Sequence, residues 1–277
     1  MAQRHLSEWN VAHNDLEATL KYVVLAADSD ASFQFLLPIT SVLWAERTIY
    51  KPLVLTTRIN KCLTTLAKEG TIELKIIGTE ITRNLMSIKL TRWYSWQHVK
   101  AEDDLFLMDA DLWPIDGEFH NPKTVKEVTL YYADAYKGKM YSTAAILAKA
   151  SALKEITKGE SVSHRLKECE KYPADWEGHH SDDCAQSLLL LKWSGYPAKC
   201  HMIDRGPSPP KTRIDRSDWP KTFTNKLLEG KVDAHIPREC CDLRVWQMVE
   251  PLFTLLAPNR NEWVKNWRAE WAGQQDD

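Results

Sequence analysis

Residues 103–115 read DDLFLMDADLWPI, an apolar run from Leu105 to Met108 that ends in two aspartates one residue apart. A buried parallel strand keeps its apolar side chains in the sheet and releases polar ones at its carboxyl end, where open α/β sheets take ligands. Asp109 and Asp111 then make a hard-oxygen pair suited to Mn2+ or Mg2+, ions that keep positions free for substrate phosphates. The plain alternative is a strand end whose aspartates cap a turn, and Pro114 signals that one follows.

The elements that must carry this pair are legible upstream. Tyr22 to Ala27, Leu53 to Thr57 and Leu74 to Ile77 read as strands, and the segments Ser32 to Glu46 and Asn84 to His98 are long enough to return the chain parallel to itself. Alternation of this kind predicts an α/β fold with a mostly parallel sheet and helices on both faces. Its ligand loops then lie at the carboxyl ends, and Ala26 to Asp30 (AADSD) occupies one.

Beyond the aspartates, Val128 to Tyr132 reads as a strand and Thr143 to Ile156, rich in Ala, Leu and Lys, as a helix. Another helix should start near Ser181, a good N-cap, with Asp182 and Asp183 in its first turn and Gly195-Tyr196-Pro197 stopping it. Residues 204–220, rich in Pro and charge, read as an ordered loop or lid. The tail from Asp242 reads as helical to about Ala257 and again from Asn261, with Trp246, Phe253, Trp263, Trp267 and Trp271 on one face. The expectation is one domain over 1–277, with 242–277 as a C-terminal helical extension.

Composition narrows the partners. With 277 residues, a net charge of -2 and a pI near 6.5, the chain is no general binder of phosphate backbones, so nucleic acid is not expected. The absence of an 18-residue apolar run and the polar start MAQRHLSEWN lead us to expect neither a transmembrane segment nor a signal peptide, hence a cytoplasmic setting. Cys62, Cys169, Cys184, Cys200, Cys240 and Cys241 show no zinc-ligand spacing and read as reduced thiols.

Taken in order, YVVLAADSD, the helix FLLPITSVLW, the strand PLVLTT and the strand ending in DAD resemble the GT-A fold glycosyltransferases, and among them the retaining enzymes of glycosyltransferase family 8. The likeness covers roughly the first 200 residues by order of motifs. It implies a nucleotide-sugar site in which Ala26, Ala27 and Asp28 receive the uridine nucleotide of a UDP-sugar. It also implies that Arg92 contacts phosphate or sugar, that Asp109 and Ala110 line the donor, and that Ser142 or Thr143 touches the donor sugar. The family's acidic pair at a helix start corresponds to Asp182 and Asp183, as catalytic candidates, although the helix dipole alone favours acids there.

Asp109, Asp111 and His235 match the family's metal ligands, and Arg238 its basic residue for the diphosphate; the family's following Gly and Lys-Pro-Trp run is absent here. A second, weaker likeness, through RIDRSDWP and DAHIPR, is to small glycosyltransferases of large algal viruses, which extends the cytoplasmic expectation to a virus-infected host cell. Arg213, Asp215 and Arg216 read as a lid latch or a solvated charge run. Trp113 and Trp176 are candidates to stack on sugar or to pack in the core.

The resemblance implies a metal-dependent transfer from a UDP-sugar to a glycan, glycoprotein or other hydroxyl acceptor, with retention. Two other classes compete: a sugar nucleotidyltransferase, disfavoured because AADSDASFQF lacks a glycine-rich phosphate loop, and a nucleotide-sugar binding protein that transfers nothing. An aspartyl phosphatase would carry its DxD on the first strand, whereas three strands precede this one.

Overall fold

The structure, a computed structural model, describes residues 19–78, 85–122, 126–131, 141, 145–169, 181–203 and 210–273. In chain order the elements are β1 (Lys21–Ala27), α1 (Ala31–Arg47), β2 (Lys51–Thr56), α2 (Lys61–Lys68), β3 (Glu73–Ile76), α3 (Leu85–Trp93), β4 (Asp104–Met108), β5 (Leu112–Pro114), β6 (Val128–Leu130) and β7 (Ala145–Lys149). There follow α4 (Ala150–Ile156), α5 (Val162–Cys169), α6 (Ser181–Lys192), β8 (Cys200–Met202), β9 (Arg213–Ile214), α7 (Asn225–Leu228), β10 (Asp233–His235), α8 (Leu243–Leu256) and α9 (Asn261–Gly273).

Among the described residues the strands form a seven-stranded sheet in the order β3-β2-β1-β4-β7-β6-β8 and a three-stranded sheet in the order β5-β10-β9. In the large sheet β3, β2, β1 and β4 run parallel, and β7 alone opposes its neighbours. Period-two alternation divides each central strand between two cores. Val23, Leu25 and Ala27, with Phe106 and Met108, pack toward residues of α1, α2, α8 and α9. Tyr22, Val24 and Ala26, with Leu105 and Leu107, pack toward α3, α4 and α6. Helices therefore cover both faces, as the alternating pattern requires. No described helix is long and apolar enough to cross a membrane.

One expectation fails. Thr143 to Ile156 is not one helix: Ala145–Lys149 is β7, and only Ala150–Ile156 is helical. Ala145, Ile146, Leu147 and Ala148 are all almost fully buried, and β7 bridges β4 and β6 with five and three paired residues. The ladder on both edges overrides alanine's preference for helix. The expected helix from Asn84 to His98 divides into α3 and a 3-10 turn at Ser95–His98, with Asn84 outside the described residues.

The C-terminal aromatic stripe is packing. Phe35 of α1 sits among Trp246 (5.4 Å), Trp267 (6.2 Å) and Trp271 (5.7 Å), and the Trp267 indole donates to Phe35 O at 3.1 Å. This cluster fixes α1, and α1 fixes what comes next.

Candidate active site at the junction of the two sheets

β4 ends at Met108, and the chain crosses from the large sheet to the small one through Asp109, Ala110 and Asp111 before β5 begins. That crossing is held from behind by polar side chains of an otherwise apolar helix. Thr40 Oγ1 donates to Ala110 O at 2.6 Å, Trp44 Nε1 to Leu112 O at 3.0 Å, and Trp113 Nε1 to Thr40 Oγ1 at 3.0 Å. All three side chains are fully buried, so these bonds form where an unmade one is costly. Trp113 is therefore a core residue and offers no sugar face; Trp176 lies outside the described residues.

The two aspartates leave the crossing in different company. Asp109 Oδ1 is 2.6 Å from Arg92 Nη1, which reaches it from the last turn of α3 with its side chain only 2% exposed. The contact is an ion pair rather than an aligned hydrogen bond, and the buried Nη2 of Arg92 has no hydrogen-bond partner among the described residues. Asp111 is buried and faces the small sheet. Its Oδ2 lies 3.3 Å from His235 Nε2 and 3.2 Å from Arg216 Nη1, and its carbonyl accepts from Ile236 N at 2.8 Å.

Antiparallel pairing of β10 with β5, which sets His235 opposite Leu112, brings the histidine here. Burial by itself would raise the Asp111 carboxyl, but the adjoining His235 and the Arg216 guanidinium more than offset it and hold it below the usual carboxylate range.

A cleft of ≈ 260 Å³ opens beside Asp111, lined by Asp28, Asp30, Ser32, Phe33, Leu36, Arg238 and Glu239. Asp30 caps α1 by accepting from Ser32 N at 2.9 Å and Phe33 N at 3.3 Å, and Asp28 Oδ1 accepts from Asp30 N at 2.9 Å. Ala26 and Ala27 are buried in the end of β1 and are not among the residues that line the cleft. Gln34, also buried, donates to Asp28 O and to Thr56 Oγ1, tying the ends of β1 and β2 together.

The expected site residues thus divide. Asp28, Asp111 and Arg238 line one cleft, His235 touches Asp111, and Asp109 adjoins them through the crossing while facing Arg92. Ser142 and Thr143 lie outside the described residues. Helix α6 begins at Ser181, so Asp182 and Asp183 are in its first turn, but their side chains are not described. One turn further, Gln186 is fully buried, and neither amide atom has a hydrogen-bond partner among the described residues.

The 213–218 segment departs from its reading as a latch. Arg213 forms a buried, two-pronged pair with Asp233, Nε at 2.9 Å and Nη2 at 3.2 Å, locking β9 to β10. Arg216 and Asp215 reach Asp111 and His235. Burial raises the Asp215 carboxyl, but hydrogen bonds from Ser217 and His235 outweigh that and lower it overall. The signal for this pairing was the matched spacing of Arg213-x-Asp215 and Asp233-x-His235, which acquires meaning only once two strands lie side by side.

Two carboxylates and an imidazole on adjoining segments are donor types that suit Mn2+ or Mg2+. As placed, no three His, Cys, Asp or Glu side chains among the described residues converge to hold an ion, because Arg92 and Arg216 take the two carboxylates. The donor chemistry fits a dication. Binding one would exchange guanidinium for metal.

The chain's sequence matches no protein-family model and no curated protein. Its backbone does match solved structures. The galactosyltransferase LgtC, in complex with donor and acceptor sugar analogues, superposes with a TM-score of 0.51 at 14% identity over 87% of this chain and 96% of that one. The bifunctional glycosyltransferase WbbM gives 0.50 at 8% identity. The fold is that of the GT-A glycosyltransferases. An active-site mutant of LgtC superposes equally, with a TM-score of 0.52 over 84% of this chain and 95% of the other. GlyE of Streptococcus pneumoniae TIGR4 gives 0.47 at 12% identity over 68% of this chain. The chain spans about half the length of WbbM (50%) and of GlyE (46%).

Proposed function

We propose that this protein is a glycosyltransferase that moves a sugar from a UDP-sugar to a hydroxyl of a glycan or glycoprotein, depends on Mn2+ or Mg2+, and retains configuration. The observation that carries the reading is the crossing itself. Asp109 and Asp111 stand between two sheets, with His235 delivered to Asp111 by β10 and a cleft beside them. GT-A architecture and the resemblance to family 8 support the same chemistry.

In this reading Asp109, Asp111 and His235 would hold the ion, which would supply Lewis acidity toward the leaving diphosphate. The ends of β1 and β2, braced by Gln34, receive the nucleotide against the backbone of Ala26 to Asp28. Arg238 on the cleft rim offers positive charge to the diphosphate, and Arg216, freed from Asp111, adds a second guanidinium. Arg92, buried with Nη2 lacking a hydrogen-bond partner among the described residues, is poised to donate to a phosphate or sugar oxygen. The resemblance gives Asp182 or Asp183 the role of stabilising positive charge that develops at the anomeric carbon. The acceptor hydroxyl oxygen then bonds to the anomeric carbon on the face where the carbon–oxygen bond to the diphosphate breaks, and its proton passes to the departing diphosphate oxygen.

A donor screen reading UDP release, with and without Mn2+, tests this. Wild type should hydrolyse one UDP-sugar above the rest, and Asp109→Ala should lose that activity by orders of magnitude, since metal-borne charge stabilisation is worth several kcal/mol. Diphosphate release from a nucleoside triphosphate and sugar phosphate would favour a nucleotidyltransferase instead. Mn2+-dependent UDP binding without turnover would mark a binding protein, and an inverted product anomer by NMR would overturn retention.

A further inference from the structure

Asp215 lies outside the cleft, yet its carboxylate is tied at both oxygens. Oδ1 accepts from Ser217 N at 3.0 Å and Ser217 Oγ at 2.7 Å, capping the 3-10 turn Arg216–Asp218, while Oδ2 is 3.3 Å from His235 Nδ1. The other ring nitrogen, Nε2, is 3.3 Å from Asp111 Oδ2. This arrangement follows from strand register. β9 and β10 pair in parallel with Arg213 opposite Asp233 and Ile214 opposite Ala234, so one further step sets Asp215 opposite His235. Residues two apart share a face, and the buried Arg213–Asp233 pair locks that register.

We propose that Asp215 is the positioning residue of His235: it claims the ring N–H on Nδ1 and leaves the lone pair of Nε2 directed to the Asp111 side, ready for a divalent cation. A neutral imidazole carries one N–H, and an ionised carboxylate is acceptor-only, so the better-anchored carboxylate decides which nitrogen holds the proton. Ligating histidines are characteristically fixed through their second nitrogen by such a partner. The inference rests on the reading of His235 as a metal ligand, and it makes RIDRSD a part of the metal centre rather than a lid.

Long-range proton–nitrogen NMR of the full chain without metal, at a pH high enough for a neutral ring, should show His235 protonated on Nδ1. In Asp215→Ala the proton should move to Nε2, toward Asp111. Mn2+ titration followed by electron paramagnetic resonance should show affinity falling about 10- to 100-fold in Asp215→Ala. Asp215→Asn, whose amide oxygen still accepts, should recover most of it, and Ser217→Ala should bind as wild type does. A wild-type ring protonated on Nε2 overturns the proposal, whether or not the alanine variant folds. An Asp215→Ala protein with wild-type affinity, where His235→Ala has lost binding, overturns the positioning role and leaves the metal site standing. Wild-type affinity in His235→Ala overturns both. An equal loss in Ser217→Ala would assign the effect to the turn and overturn the role of the Asp215–His235 contact.

Discussion

Arg92 Nη1 stands 2.6 Å from Asp109 Oδ1, a buried guanidinium from α3 on a carboxylate that is 27% exposed at the sheet junction. The arginine pays for its burial incompletely, since Nη2 has no hydrogen-bond partner among the described residues. Arg92→Met should therefore change the melting temperature little, because the incompletely partnered buried charge goes and the carboxylate it leaves behind is partly exposed and can be solvated. Its UDP-sugar affinity should fall by about ten- to a hundredfold, the worth of a hydrogen bond to a charged group. Calorimetric titration reads the second effect and thermal denaturation the first. A melting temperature several degrees lower with unchanged affinity would make the pair structural.

Arg216 holds the other aspartate, with Nη1 at 3.2 Å from Asp111 Oδ2 and a side chain 29% exposed. On the proposed function, Arg216→Gln removes a cation that would compete with metal for that oxygen. Mn2+ affinity should rise several-fold, in keeping with the modest worth of a partly exposed pair, while turnover falls through the loss of a diphosphate contact. Equal or weaker Mn2+ binding would exclude competition.

Arg213 and Asp233 hold the small sheet together. Arg213→Ala would take the guanidinium away from an almost fully buried carboxylate and should cost about 3–5 kcal/mol in urea denaturation. Arg213→Lys should not restore this, since an ammonium cannot reproduce the two-pronged geometry.

Gly117 follows β5, and a Cβ there would lie 1.8 Å from the carbonyl oxygen of Arg47 at the end of α1. Backbone cannot swing away as a flexible side chain can. Gly117→Ala should destabilise by about 1–3 kcal/mol or more, read as a lower urea midpoint.

The buried cysteines set an alkaline limit. Burial, with nearby Glu270 and Glu69, pushes the Cys62 thiol up to about 12, and burial pushes Cys200 to about 11. Their folded values exceed the unfolded value of about 8.5, so the stability they contribute is complete below that pH and is lost as pH rises toward 11 and 12. Iodoacetamide at about pH 8 should spare both in the native protein and label both after denaturation. Rapid native labelling of Cys62 would contradict its burial.

The first half of the fold was legible because its residues obey local rules. Tyr22 to Ala27 are apolar on both faces, Asp30 caps a helix, and Leu105 to Met108 lead into polar groups, all within a few residues of one another. The second half was less so. Ala145–Lys149 carries helix-forming residues and becomes a strand only because β4 and β6 present open edges to it. Trp113 after the aspartates invited a role at the ligand, yet its indole is committed to Thr40, seventy-three positions earlier.

Sequence alone determined the chemistry available here: hard oxygen groups at the carboxyl end of a parallel strand, because strand periodicity and side-chain type are local properties. Which groups meet was decided only by the tertiary structure. Asp111, Asp215, Arg216 and His235 come from three segments, and the register of β5, β10 and β9 brings them within 3.3 Å of one another in a chain of contacts. Such register is set by long-range hydrogen-bond ladders and by one buried ion pair, interactions that no local pattern of residues encodes.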